Sequence, residues 1–212
     1  NRQCVCWRLH LWQQPRFLLG PTVTRALLIV DVQNDFTEGG ALACEGGAAI
    51  AGRISTFAHE HRGDYSVIVA SRDWHDPDGD NGGHFAAEPD WVDSWPRHCV
   101  AGTPGAEYHS ALDNDVIDVH LLKGQGIPAY SAFEGITADG LGIAQILAQH
   151  DVTALDVVGI ATDYCVRASA LDAVAAGLDV TVKAVLCVGV SPASSIAALS
   201  ELAAAGVRIA IE

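Results

Sequence analysis

Positive charge is scarce in this chain. Its 212 residues hold 12 Lys and Arg against 26 Asp and Glu, a formal net charge of −14, and the only lysines are Lys123 and Lys183. Nucleic-acid binding rests on Lys and Arg displacing counterions from phosphates, so that class of function is excluded, and an anionic membrane surface repels the chain for the same reason. Long apolar runs are missing too, and none approaches the ~20 residues that span a bilayer. Methionine is absent altogether, so Asn1 reads as something other than an initiator. Residues 1–24 scatter Trp, Arg, Gln and Pro without periodicity and lack the continuous apolar stretch of a secretion signal. They are expected to be an irregular extension outside the fold.

What remains suits one packed domain over 25–212. Apolar residues make up 50% and charged residues 18%, which excludes general disorder. The even cysteine count (Cys4, Cys6, Cys44, Cys99, Cys165, Cys187) would suit a disulfide framework in a short secreted chain. A core of this size has no need of one, so free thiols in a reducing cytoplasm are expected.

Six short apolar runs read as strands: 26–31, 66–72, 118–123, 155–160, 178–185 and 207–211. Helical patterns separate most of them. Ile50, Ile54, Phe57 and Ala58 fall on one helical face, and residues 140–149 also read as helical. After the fourth strand, Thr162 is expected as N-cap and Gly177 as the residue closing the helix. Ser191-Pro192 opens the next helix and Gly206 closes it. The alternation predicts a three-layer α/β/α, Rossmann-like fold with a six-stranded parallel sheet.

A long, poorly periodic stretch runs from Asp73 to about Asp115, and a loop of that length inside a domain is usually functional. It holds four of the nine histidines (His75, His84, His98, His109), ten acids and a single base, Arg97. Asp73 and His75 flank Trp74, so they point the same way from an extended strand end. His84 and His98 can fold back onto them, and imidazole with carboxylate suits Zn²⁺, Fe²⁺ or Mn²⁺. A solvated acidic loop with unrelated histidines is the alternative, and spacing alone does not decide between them. Two motifs in the region fail on inspection. DPDGDN (76–81) starts like an EF-hand loop but has Asn81 and Ala87 where Gly and Glu belong. GQGIPA (124–129) fits a dinucleotide turn, but Pro128 removes an amide donor and no helix follows.

Three further residues cap the elements. Asp31 ends the first strand, Lys123 ends the third, and Cys165 lies in the first turn of the helix after the fourth. Ligands of open parallel sheets bind beyond the carboxyl ends of the strands, so all three converge on one edge. A helix N-terminus and a neighbouring ammonium both favour a thiolate at Cys165, and a carboxylate can relay its proton.

Several segments in order, LLIVDVQNDFTEGGAL (27–42), DWH (73–75), WPRHCVAGTPGAEYH (95–109), KG with AYSAFEG (123–135) and VVGIATDYCVRASALDA (157–173), resemble the nicotinamidases, or pyrazinamidases, of the isochorismatase-like cysteine hydrolases. The resemblance spans Arg25 to Glu212. It implies a catalytic triad of Asp31, Lys123 and Cys165, and one divalent metal on Asp73, His75, His84 and His98. It also implies a cis bond between Ile160 and Ala161 with an oxyanion hole from the amides of Ala161 and Cys165, and walls for the substrate ring at Phe36, Trp95, Tyr130 and Phe133. The implied reaction is hydrolysis of nicotinamide, and of pyrazinamide, through a Cys165 thioester, in the salvage of pyridine rings for NAD. The implied partner is thus a small aromatic carboxamide. Cys99 is a competing soft ligand or a buried structural thiol, and His109 reads as structural. Rival readings are a metal-free carbamoyl-amide hydrolase, which would not need the DWH and WPRH motifs, and a non-catalytic metal- or ligand-binding relative. An isochorismatase-type ether hydrolase would have no use for Cys165. No sequence feature sets the native metal, the preferred ring amide, or whether the chain is a monomer or a homo-oligomer.

Overall fold

A computed structural model describes residues 23–211. The expected extension, with Cys4 and Cys6, lies outside the described residues except for its last two positions. Of those, Thr24 is tied to the fold, since its carbonyl accepts the amides of Thr153 and Ala154.

Six strands, β1 (Arg25–Val30), β2 (Val67–Asp73), β3 (Val119–Lys123), β4 (Ala154–Ile160), β5 (Asp179–Val188) and β6 (Arg208–Ala210), form one sheet in the order β3-β2-β1-β4-β5-β6. Every pairing is parallel. The four α-helices are α1 (Gly47–Glu60), α2 (Ile143–Gln149), α3 (Arg167–Ala175) and α4 (Pro192–Ala204). Alternation along β1 sorts the core. Ala26, Leu28 and Val30 face the side covered by α2, α3 and α4, whereas Leu27 and Ile29 meet Ile50, Ile54 and Ala58 of α1. Helices therefore cover both faces, as the sequence predicts, and no helix among the described residues is long and apolar enough to cross a membrane.

The departures concentrate near the carboxyl ends of the strands. The helix after β4 is not capped by Thr162. Ala161, in extended conformation, precedes a five-residue wide turn over Thr162–Val166, in which the Val166 amide reaches the Ala161 carbonyl at 3.1 Å. Such i→i+5 turns recur at functional sites. β5 runs three residues past its expected end because its register on β4 slips between Val157 and Gly159. The other helix ends behave as predicted: Ser191 Oγ accepts the Ser194 amide, and Gly177 and Gly206 take positive φ. The long stretch after β2 is irregular but closely tied, with bridges pairing His75 with Val100 and Phe85 with Trp95.

Candidate active site

The carboxyl ends of β1, β2, β3 and β4 deliver Asp31, Asp73, Lys123 and Cys165 to one place. Asp73 and Lys123 are register partners on adjacent strands, and Asp31 follows β1 with a left-handed φ of 47°. Lys123 is fully buried. Its Nζ lies 2.9 Å from Asp31 Oδ2, contacts Asp73 Oδ1, and stands 3.6 Å from Cys165 Sγ. An ammonium without water is tolerated only when it is paired. Burial opposes its charge, but Asp31 and Asp73 together hold its pKa well above the ordinary lysine value.

The same burial raises the Asp31 carboxyl against the pull of Lys123 and of Ser71 Oγ, which donates to Asp31 Oδ1 at 2.7 Å. Asp73 behaves oppositely. Burial opposes its ionisation too, but Lys123, with His75 and His98 beside it, holds it well below the usual carboxylate range. Burial pushes the Cys165 thiol well up and Asp31 and Asp73 add to the rise, while Lys123 alone favours the thiolate.

Beside this cluster His75, His84 and His98 are all buried, with ligand atoms within 4.8 Å of one another. The Gly124 carbonyl can only accept, so at 2.8 Å it fixes the proton of His75 on Nδ1 and leaves the Nε2 lone pair free; Pro96 O does the same for His98 at 2.8 Å. Asp73 Oδ2 lies 3.7 Å from both Nε2 atoms. His75 Nε2 and His84 Nδ1 are buried without a protein partner, a cost that native structures rarely leave uncompensated. Burial, then the neighbouring histidines, push His84 down to about 3, the neutral form a metal requires. Three neutral imidazoles and one carboxylate fit a borderline divalent cation. Cys99 is buried nearby but is outside the cluster, with its thiol pushed well up. His109 is occupied locally, accepting the Ala111 amide.

A cavity of about 230 Å³ opens above both groups. Its floor carries Asp73, Cys165, His84 and His98, and its walls include Phe36, Trp95, Tyr130 and Ala161. Phe133 is not among the lining residues. It lies in the short turn 132–134 and packs against the core. The Ile160–Ala161 peptide bond is cis.

Some contributors escape the sequence reading. Tyr164 lines the cavity, with its ring edge-on to Trp95 at 5.1 Å. Gln33 is fully buried and grips Asp73 like a neighbouring strand, accepting its amide and donating to its carbonyl, each at 2.8 Å. Asn81 accepts the amides of Asp76 and Gly126, tying the His84 segment to the loop after Lys123. At Gly124 a Cβ would stand 2.5 Å from His75 Cε1, so only glycine lets that carbonyl approach the ring. Side-chain amides that grip backbone from afar leave no spacing signal. Gly124, directly after the strand-end lysine, was the one hint available.

The isochorismatase domain family matches residues 25–210. The nicotinamidase/pyrazinamidase of Mycobacterium tuberculosis is 49% identical over 87% of this chain and 97% of its own length. Among solved structures, the pyrazinamidase of Pyrococcus horikoshii in complex with zinc superposes with a TM-score of 0.74 at 36% identity, covering 87% of this chain and 97% of that one. PnC1 from L. infantum in complex with nicotinate gives 0.76 at 32%, covering 88% and 92%. The site therefore sits on a shared scaffold along nearly the whole described length, and the chain belongs to the isochorismatase family.

Proposed function

We propose that the chain is a metal-dependent cysteine amidohydrolase that converts nicotinamide, and pyrazinamide, to the free acid and ammonia. The observation that carries this reading is the buried Lys123 held between Asp31, Asp73 and Cys165, the last two of which line an aromatic-walled cavity. Relatives named nicotinamidase, or nicotinamidase/pyrazinamidase, support the substrate class. The metal-free carbamoyl-amide alternative is not favoured, because it leaves three converging buried histidines without a purpose.

Asp31 accepts the proton of Cys165 while Lys123 offsets the carboxylate charge. The sulfur attacks the carboxamide carbon, and the amides of Ala161 and Cys165 serve the oxyanion. Asp31 returns the proton to the departing ammonia and leaves a thioester. A water deprotonated by Asp31 then cleaves the thioester, releasing the acid and the thiol. Phe36, Trp95 and Tyr130 hold the ring and exclude water. Asp73, His75, His84 and His98 would hold a divalent ion, Zn²⁺, Fe²⁺ or Mn²⁺, which when bound supplies a positive point that orients the ring nitrogen. The described thiols are free, which suits action in the cytoplasm.

The test is ammonia release from nicotinamide by metal-loaded protein, set beside N-carbamoylsarcosine and isochorismate. Turnover of nicotinamide with neither rival consumed supports the reading, and consumption of a rival alone overturns it. For the metal, about one equivalent per chain is expected. His98→Ala should lose most of it with the helical circular dichroism intact, and the damage should fall mainly on KM. Full occupancy in a His75→Ala, His98→Ala double variant would refute the ligand set.

A further inference from the structure

The cavity mouth is built from three loops, through Ala41, Ala43, Trp91 and Val190. Trp91 is the only large aromatic among them, and although it lines the cavity it is 57% exposed, against 7% for Trp95 on the wall below. Because it lines the cavity, this exposed indole offers a large apolar face to whatever enters there. Its backbone agrees. Trp91 has φ 62°, a left-handed conformation that costs a bulky residue free energy and persists only where the surroundings enforce it. Here they do. Asp90 Oδ1 accepts the amides of Val92, Asp93 and Ser94 and the Ser94 hydroxyl, while Ser94 Oγ accepts the Asp90 amide. The turn is rooted in Trp95, whose amide bonds the His84 carbonyl and whose indole donates to Tyr130 at 3.0 Å. The Trp91 ring meets that of Trp95 edge-on at 6.2 Å.

We propose that Trp91 is a specificity-determining residue: a pre-set outer wall that covers the uncharged, planar ring of the bound carboxamide and separates it from water. The proposal rests on the amidohydrolase reading above. Its part is in binding the ring, not in bond breaking, so losing it should raise KM far more than it lowers kcat.

Trp91→Gly gives the sharpest test, because it removes the indole and the backbone strain together. Its thermal midpoint should equal or exceed that of the parent chain, whereas KM for nicotinamide should rise about tenfold with kcat changed less than threefold. Calorimetry should show nicotinate bound about tenfold more weakly, and Trp91→Phe should recover most of both losses. Asp90→Ala, which keeps the ring but frees the turn, should raise KM in the same sense. KM and nicotinate affinity within twofold of the parent in Trp91→Gly would overturn the inference, as would a fall in kcat larger than the rise in KM. A parent chain that neither turns over nicotinamide nor binds nicotinate would defeat the underlying reading, and this inference with it.

Discussion

Cys165→Ala should lower nicotinamide turnover roughly 10⁴-fold or more, the scale on which removing a covalent nucleophile acts. No other group can take its place. Cys44 also lines the cavity, but burial, then Asp163 and Glu38, push its thiol up to about 12, and it lacks the ammonium that stands 3.6 Å from Cys165 Sγ. The variant should stay folded, because Cys165 forms no structural network beyond its contact with Lys123 and the Asp31 pair. The loss in stability should be about 1 kcal/mol, and nicotinate binding should survive. Residual turnover within a factor of ten of the parent would move the nucleophile elsewhere.

Lys123→Met should be damaging in two separate ways. It removes the charge that favours an ionised Asp31, the form that accepts the thiol proton, which should slow turnover roughly 10²–10³-fold. It also strands two carboxylates in a dry site, at a cost of about 3–5 kcal/mol near neutral pH. Without the ammonium both folded-state pKa values rise above the unfolded ones. A carboxyl of that kind binds more protons folded than unfolded between the two values, so the penalty grows as pH rises and shrinks as pH falls. In the parent chain the lowered Asp73 works the other way, contributing stability that disappears only when pH falls through its depressed value. Thermal unfolding of chelated parent and variant should therefore show a gap in midpoint that is wide at pH 8 and narrower at pH 5. A gap independent of pH would show that the two carboxylates do not depend on Lys123.

The fold was legible because the strands are apolar runs separated by helical patterns, and the last two helices carry their stop signals at Gly177 and Gly206. The convergence of Asp31, Lys123 and Cys165 was legible for a related reason. Asp31 and Lys123 interrupt the pattern where a parallel sheet places its ligands, and Cys165 opens the element that follows. The metal cluster was only half legible. Asp73 and His75 share a strand end, but the His84 segment is tied by the Asn81 side-chain amide, and His98 and His75 are oriented by the carbonyls of Pro96 and Gly124, none of which leaves a spacing signal. The wide turn at 162–166 was invisible because Thr162 carries an ordinary capping side chain, while the hydrogen bond that defines the turn belongs to the Ala161 carbonyl. Phe133 shares a motif with Tyr130 but is not among the residues that line the cavity, since motif proximity says nothing about which way a short turn carries a ring. At Cys165 the sequence shows the helix N-terminus and the ammonium that favour a thiolate, but not the burial that opposes them.

The most direct measurement is the covalent intermediate itself. Metal-loaded protein mixed with nicotinamide, quenched in acid within one turnover and digested, should yield a nicotinoyl adduct on the Cys165 peptide by mass spectrometry, and Cys165→Ala should yield none. An adduct on Cys44, or an unmodified Cys165 in protein that is releasing ammonia, would contradict catalysis through this thiol.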